Sequence, residues 1–130
     1  MLSLNQILLV NAVVNGAFAM VAIMFPRAPI YLTHDSSDSL DKEVFAVMRG
    51  WGACALCVAY ITYAMRGMNH RPSKKIAVQG CLFYTAAVFS GQLFTLRFIE
   101  VLQWNQVTGY LLAIFWGVMS SINVYGAFVL

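Results

Sequence analysis

Residues 4–25 read LNQILLVNAVVNGAFAMVAIMF and contain no charged side chain. An α-helix of about 20 apolar residues is long enough to cross the ~30 Å hydrocarbon core of a bilayer. Three further runs of similar length and character lie at residues 44–65, 76–96 and 107–130. Because backbone polar groups in lipid need internal partners, and four short spans cannot close a barrel, each run must form a helix. The sequence therefore predicts an all-α fold: an integral membrane four-helix bundle with a single transmembrane domain over residues 1–130.

The composition agrees with this prediction. Hydrophobic residues make up 61% of the 130 residues and charged residues 10%, whereas soluble domains average about 45–50% and about 25%. Such a chain has too few charges to cover a soluble surface, which excludes a nucleic-acid-binding domain, a disordered tail and an ordinary cytosolic enzyme. Three cysteines, an odd number in an apolar chain, exclude a secreted disulfide scaffold.

The connections between the four runs differ in charge. Residues 26–43 carry a net charge of −2, and residues 97–106 are neutral. Residues 66–75, which we call the basic loop, carry +4 from Arg66, Arg71, Lys74 and Lys75. Short loops rich in Lys and Arg stay on the cytoplasmic side of a membrane, or on the matrix or stromal side in an organelle. We therefore expect the basic loop there and, with four crossings, both termini on the same side.

Small residues spaced four apart occur in each run, and they predict where the helices pack. In lipid, such residues let two helix backbones approach closely. The pairs are Ala12 and Gly16, Gly50 and Cys54, Ala53 and Cys57, Ala86 and Ser90, Ala87 and Gly91, and Gly117 and Ser121. Together they favour a compact bundle over four separate helices. We expect the main packing positions to be Gly16, Gly52, Gly91, Gly117 and Ser121.

Uncharged polar side chains inside the runs are candidates for structure or for ligand binding. Asn11 and Asn15 are four residues apart, so a helix places them on one face. In one interpretation each amide bonds a neighbouring helix, at about 0.6–2 kcal/mol per hydrogen bond. Gln79 and Asn123 are interpreted in the same way. In the other interpretation a polar wall binds a small ligand or a lipid headgroup, and its candidate residues are Arg49, Asn11, Asn15 and Gln92.

Arg49 is the one charged side chain clearly within a run, roughly 7–8 Å below the outer end of its helix at the usual rise per residue. A charge at this depth is expensive unless it is paired or reaches the interface. Antiparallel packing of the second and third helices brings Arg49 near Glu100, and Glu43 is a local alternative. We expect an ion pair between Arg49 and Glu100. The functional alternative is an anionic ligand or a lipid phosphate held by the planar guanidinium group.

Residues 54–57 read CALC, a C-x-x-C motif that suggests redox chemistry in a soluble fold. Here the motif lies in mid-helix, where apolar surroundings disfavour the reactive thiolate. We expect Cys54 and Cys57 to be small packing residues, with thiol redox chemistry as the alternative. His34 and His70 fall on opposite sides of the membrane in the predicted topology, so they cannot share a metal ion. No metal and no cofactor is expected, and the expected bound molecules are lipids.

The opening of the second run, Arg49-Gly50-Trp51-Gly52, resembles a motif of several small four-helix membrane families. In these families an arginine, any residue, an aromatic residue or leucine, and a glycine begin the second helix after a polar first loop. By this motif and by its four-span layout, the chain is similar to DoxX-like proteins and to the small scaffold proteins of ergosterol biosynthesis. The resemblance to the scaffold proteins implies that the chain holds enzymes together in a membrane without chemistry of its own. The basic loop and Glu100 have no counterpart in those families.

These observations leave three classes of function. The first, favoured because the chain has no G-x-S-x-G, H-E-x-x-H or glycine-rich phosphate motif, is a non-catalytic accessory or scaffold subunit of a larger membrane complex. An organellar electron-transport complex is the leading example, with other membrane subunits and lipids as partners. The second class is a binder of a sterol, quinone or lipid, and the third is a thiol-redox or isomerase-like membrane enzyme. We expect the mitochondrial inner membrane first, although endoplasmic reticulum, plastid and bacterial membranes fit the same charge pattern.

Overall fold

The computed structural model describes residues 2–29, 42–98 and 106–130, and its long elements are all helices. The helices are α1 (Leu4–Met24), α2 (Lys42–Arg66), α3 (Arg71–Phe98) and α4 (Gln106–Val124), and a π-helical turn (Tyr125–Val129) continues α4. Each of the four α-helices contains a stretch long and apolar enough to cross a membrane. The prediction of an all-α chain with four long apolar helices is therefore confirmed for the described residues.

The four helices pack as two antiparallel hairpins, α1 with α2 and α3 with α4. Smaller contacts join the two hairpins, between α1 and α3, between α2 and α3, and between α1 and α4. Connection length does not decide this pairing, because the shortest connection, residues 67–70, joins α2 and α3, which belong to different hairpins. The bundle therefore has two tight helix pairs and a looser contact between them.

Local signals at both ends explain the bounds of α1. Ser3 Oγ accepts a hydrogen bond from the Gln6 backbone N–H at 3.3 Å, and Gln6 Oε1 accepts one from the Ser3 backbone N–H at 2.7 Å. This reciprocal arrangement is a capping box, which satisfies two otherwise unpaired donors. At the other end, the Phe25 backbone N–H still bonds Val21 O at 2.8 Å. Pro26 follows, and its ring cannot continue the helical pattern.

The third helix begins earlier than the predicted span at residue 76. It starts at Arg71, and Pro72 fits there because proline is tolerated in the first turn of a helix. His70 Nδ1 lies 2.8 Å from Ser73 Oγ and accepts the Ser73 backbone N–H at 3.4 Å, which caps this end. The predicted basic loop is thus mostly helical: its four cations lie at the end of α2 and the start of α3, and only residues 67–70 connect the two.

Small residues make the contact between α1 and α2 close. At Gly52 an added Cβ atom would lie 2.9 Å from Ile23 Cγ1 and 3.0 Å from Ala22 Cβ, so only glycine fits without movement. Two turns further along, a Cβ on Gly16 would lie 3.7 Å from Ala59 Cβ, an ordinary van der Waals distance. Of these two glycines, Gly52 is therefore the one at which α1 leaves no room for a side chain.

The outside of the bundle is apolar along its length. Val13 of α1, Phe83 of α3 and Ile114 of α4 are 61%, 77% and 63% exposed. Monomeric soluble proteins rarely show continuous apolar surface of this extent. Because lipid tails are as apolar as these side chains, such a surface is stable in a bilayer.

Candidate functional site

A cluster of uncharged polar side chains lies in the interior and joins three helices. Asn11 Nδ2 donates a hydrogen bond to Asn123 Oδ1 at 2.7 Å, and Asn123 Nδ2 donates to Asn11 Oδ1 at 3.2 Å. Asn123 Nδ2 also donates to Thr85 Oγ1 at 3.3 Å. All three side chains have an exposed fraction of 0%. We call Asn11, Thr85 and Asn123 the polar cluster, and it connects α1, α3 and α4.

Backbone carbonyl groups complete the hydrogen bonding of the polar cluster. Asn11 Nδ2 also donates to Ile7 O at 2.9 Å, and Thr85 Oγ1 donates to Cys81 O at 2.9 Å. A buried polar group without such partners would lower the free energy of unfolding by about 1–3 kcal/mol. The geometry of Asn11 and Asn123 therefore corresponds to the structural interpretation of these amides, in which each bonds a neighbouring helix.

Asn15 and Gln92 are also buried, but each keeps an unused polar atom. Asn15 Nδ2 donates to Asn11 O of its own helix at 2.8 Å. Its Oδ1 atom has no hydrogen-bond partner among the described residues, and neither has Gln92 Nε2. Asn15 is 0% exposed and Gln92 is 9% exposed. With the hydroxyl group of Tyr125, three buried side-chain polar atoms therefore have no hydrogen-bond partner among the described residues.

One aromatic side chain from each helix meets in what we call the aromatic cluster: Phe18, Trp51, Tyr84 and Trp116. The Phe18 ring centroid lies 5.0 Å from that of Trp51 and 6.3 Å from that of Trp116. Tyr84 and Trp116 pack edge to face with centroids 6.2 Å apart. Trp51 Nε1 donates to the Tyr84 hydroxyl group at 3.1 Å, which ties α2 to α3. Such aromatic pairs contribute about 0.5–1.5 kcal/mol each beyond area burial.

Arg49 does not join the buried amides that were grouped with it as ligand candidates. Its side chain is exposed on α2, whereas Asn11, Asn15 and Gln92 lie in the interior. Glu100, the expected partner of Arg49, lies outside the described residues, so the ion pair stays a prediction. The four candidates therefore do not line a common pocket in the described structure.

The cysteines and histidines are spread over separate surroundings. Cys54 and Cys57 are exposed free thiols one turn apart on α2, whereas Cys81 is buried. His70 caps α3, and His34 lies outside the described residues. In the ranges that the structure describes, no three His, Cys, Asp or Glu side chains are placed to hold a metal ion.

The predicted packing positions also differ in their surroundings. Two of them, on α1 and α2, make the close contacts described above. On α4, a Cβ added at Gly117 would lie 3.3 Å from the ring of Phe89. Ser121 is exposed and donates to Gly117 O at 2.9 Å. Gly91 is exposed, and a Cβ added there would meet no atom within 4 Å.

Helix α2 carries small side chains on two opposite faces. The face against α1, which we call the inner stripe, consists of the buried residues Gly52, Ala55, Ala59 and Thr62. The opposite face, which we call the outer stripe, consists of the exposed residues Gly50, Ala53, Cys54 and Cys57, and the larger exposed side chains of Tyr60 and Ile61 follow it on the same side. A Cβ added at Gly50 would meet no atom within 4 Å. The C-x-x-C motif thus belongs to a small-residue face that the rest of the described chain leaves uncovered.

Three of the four cations of the basic loop have local partners. Arg66 lies over the Tyr63 ring with its Cζ atom 5.3 Å from the centroid. Lys74 Nζ donates to Asn5 Oδ1 at 2.6 Å, and Arg71 donates to the backbone oxygen of Leu130. The last two contacts hold the start of α3 against the first turn of α1 and the end of the π-helical turn.

Thr85 and the aromatic cluster were not predicted from the sequence. A lone threonine in an apolar helix bonds its own backbone wherever it faces, so its identity does not reveal a partner on another helix. Trp51 and Trp116 were visible as aromatic residues, but apolar character alone does not distinguish the interior from the lipid-facing surface. Their meeting point depends on how each helix is rotated.

Comparisons of the chain with protein-family models, with curated proteins and with solved structures give no match. The function therefore has to be inferred from the polar cluster, the aromatic cluster and the two stripes of α2.

Proposed function

We propose that this protein is a non-catalytic accessory or scaffold subunit of a larger membrane protein complex. Its four helices cross the bilayer, with both ends on the side of the basic-loop cations. An organellar electron-transport complex is the leading setting, and the mitochondrial inner membrane is the first location to test. The resemblance to membrane scaffold proteins, carried by Arg49, Trp51 and Gly52, agrees with this role.

The main support for the proposal is that the small residues of the outer stripe of α2 are left uncovered by the rest of the described chain. Both stripes of this helix have the same small-residue chemistry, and the inner stripe is filled by α1. In lipid, helices associate through close backbone approach at small residues, because there is no hydrophobic driving force between them. The outer stripe supplies the same kind of surface on the outside of the bundle. Its occupant in this proposal is a transmembrane helix of another subunit.

The interior supports a structural role for the buried amides. The polar cluster bonds side chains of α1, α3 and α4 to one another, and the aromatic cluster adds α2. These contacts fix the rotation of each helix, which in turn fixes the direction of the outer stripe. The interior thereby serves to present a defined outer surface to a partner.

The test compares bulky substitutions on the outer stripe with a matched substitution elsewhere. Ala53→Phe and Cys57→Phe add volume on the outer stripe, whereas Val13→Phe adds it at an exposed position of α1. All three positions are exposed, so the bundle itself can accept the larger side chain. After mild detergent extraction, native mass spectrometry with identification of the co-purifying proteins measures assembly.

We expect the wild-type chain and Val13→Phe to be found in one defined complex, and the two stripe variants to be lost from it. Full assembly of Ala53→Phe and Cys57→Phe would contradict docking at the outer stripe. Extraction of the wild-type chain as a monomer or homodimer carrying a discrete small molecule would overturn the subunit proposal itself.

A second candidate function is the binding of a sterol, quinone or lipid inside the bundle. The unused Oδ1 atom of Asn15 and Nε2 atom of Gln92 favour it. A ligand hydroxyl group can donate to Asn15 Oδ1, and a ligand hydroxyl or carbonyl oxygen can accept from Gln92 Nε2. Asn15→Leu and Gln92→Leu would then abolish retention of that molecule while leaving co-purifying subunits in place. If Asn15→Leu and Gln92→Leu instead lose the co-purifying subunits and no small molecule is lost, the result would favour the first proposal.

A further inference from the structure

A small polar recess lies at the end of the bundle that carries the basic-loop cations. Its volume is about 330 Å³. Side chains of α1, of the connection between α2 and α3, and of the start of α3 line it together with Leu130. The lining residues are Ser3, Leu4, Asn5, Asn69, Arg71, Lys74 and Leu130. We call this the basic recess.

The electrostatics of the basic recess suit an anion. Arg71 and Lys74 supply two positive charges, and Asn5, Asn69 and Ser3 supply uncharged polar groups. The backbone oxygen of Leu130, which accepts from Arg71, offsets part of this positive charge. No acidic residue occurs in residues 2–29 or 44–98, so none comes from the helices around the recess. The guanidinium group has five N–H donors and the ammonium group three. The contacts to Leu130 and Asn5 therefore hold both cations in place and leave donors for a ligand.

An apolar groove reaches the same end of the bundle. It has a volume of about 650 Å³ and runs along α3 and α4, from Leu93 and Tyr110 to Leu2 and Tyr125. Leu2 adjoins Ser3 of the basic recess in the chain. Tyr125 O accepts the backbone N–H of Leu130, another recess residue, at 3.2 Å. The groove and the recess thus lie next to each other where an apolar span meets a charged interface.

We propose that the basic recess and this groove together bind one anionic phospholipid. The phosphate group lies against Arg71 and Lys74, and an acyl chain lies along the groove past Ser121. Charge complementarity selects the headgroup, and the apolar walls select a lipid over a soluble phosphate compound. Anionic lipids are concentrated on the cytoplasmic side, where a basic loop is retained. The inference rests on the proposed membrane insertion but needs no partner subunit.

The test is a lipid titration of the purified, delipidated full chain followed by native mass spectrometry. The probes are phosphatidylglycerol and phosphatidylcholine with the same acyl chains. We expect preferential binding of phosphatidylglycerol. Lys74→Gln should weaken it about fivefold and Arg71→Gln with Lys74→Gln about 30-fold, as expected for about 1 kcal/mol per cation at an anionic headgroup. Phosphatidylcholine binding should change little.

The matched control is Arg66→Gln with Lys75→Gln, which removes the same charge from the same connection outside the recess. Equal weakening by both double variants would overturn the site, because it would show attraction by general surface charge. In the groove, Ser121→Phe should weaken lipid binding, whereas Ser90→Phe, at an exposed position of α3 outside the groove, should not. Soluble glycerol 3-phosphate that binds as tightly as the lipid would also overturn the proposal.

Membrane insertion is measured separately, by alkaline extraction of vesicles that carry the protein. A chain that is washed off the vesicles would refute the proposed membrane function. A chain that stays inserted but shows no preference for phosphatidylglycerol would refute the lipid site alone.

Discussion

Replacement of Asn123 by leucine is the sharpest test of how the bundle is held together. Asn123 takes part in three hydrogen bonds between side chains of different helices, at 2.7, 3.2 and 3.3 Å. In membrane proteins such bonds average about 0.6 kcal/mol and reach about 1.7 kcal/mol. Three of them predict that Asn123→Leu lowers the free energy of unfolding by about 2 kcal/mol, because leucine keeps the volume and removes the bonds.

The assay is reversible unfolding in mixed micelles, with the free energy read from the denaturing-detergent titration. Asn11→Leu and the double variant complete a mutant cycle. Replacement of Asn123 alone leaves Asn11 Oδ1 buried without its partner. Asn11→Leu removes that atom and therefore cancels part of the destabilisation that Asn123→Leu causes. We expect the double variant to be more stable than the sum of the single effects predicts, by about 1–2 kcal/mol.

The control for this cycle is Ser120→Ala, because Ser120 Oγ donates only to Trp116 O of its own helix at 2.9 Å. We expect Ser120→Ala to change the free energy of unfolding by less than about 0.5 kcal/mol, as is usual for substitutions that create no cavity and break no contact between helices. Strict additivity of the Asn11 and Asn123 substitutions, or an effect of Asn123→Leu no larger than that of Ser120→Ala, would refute the polar cluster as a tie between helices.

Three further predictions use the same unfolding assay or the native complex. Gly52→Val should destabilise the bundle by about 1–3 kcal/mol through overpacking against α1, and an unchanged unfolding midpoint would contradict the close approach at this position. Asn15→Leu should leave stability unchanged or raise it, since it removes a buried oxygen atom that lacks a partner among the described residues; a loss above about 1 kcal/mol would show that this atom is bonded in the folded protein. Cys54→Ser with Cys57→Ser should leave both assembly and any activity of the complex intact, and loss of turnover with assembly preserved would restore the redox alternative.

The charge pattern was enough to predict the four helices, because an uncharged apolar stretch of about 20 residues is typical of a membrane-spanning helix. The start of α3 at Arg71 was less predictable, since its first turn contains a proline and three cations that also suit a loop. In the structure, Pro72 occupies the first turn, His70 caps this end of the helix, and Arg71 and Lys74 contact Leu130 and Asn5.

The rotation of each helix was not predictable from the pattern of apolar residues. Gly91 and Gly117 occur in the same kind of small-residue pair, yet one faces outward and the other faces Phe89. In water, polarity would distinguish the two faces, but lipid is as apolar as the interior and imposes no such pattern. Asn11 was recognisable as a polar group inside a span, whereas its partner depends on that rotation.

The hydrogen bond between Asn11 and Asn123 can form only late in the synthesis of the chain. The two residues are 112 positions apart, and a ribosome that adds about 5–20 residues per second needs roughly 6–20 seconds to cover that distance. During this interval the first helix holds an amide oxygen whose partner has not yet been made. A nascent chain that stops before α4 would keep that oxygen atom without its partner, at a cost of about 1–3 kcal/mol wherever the atom stays buried.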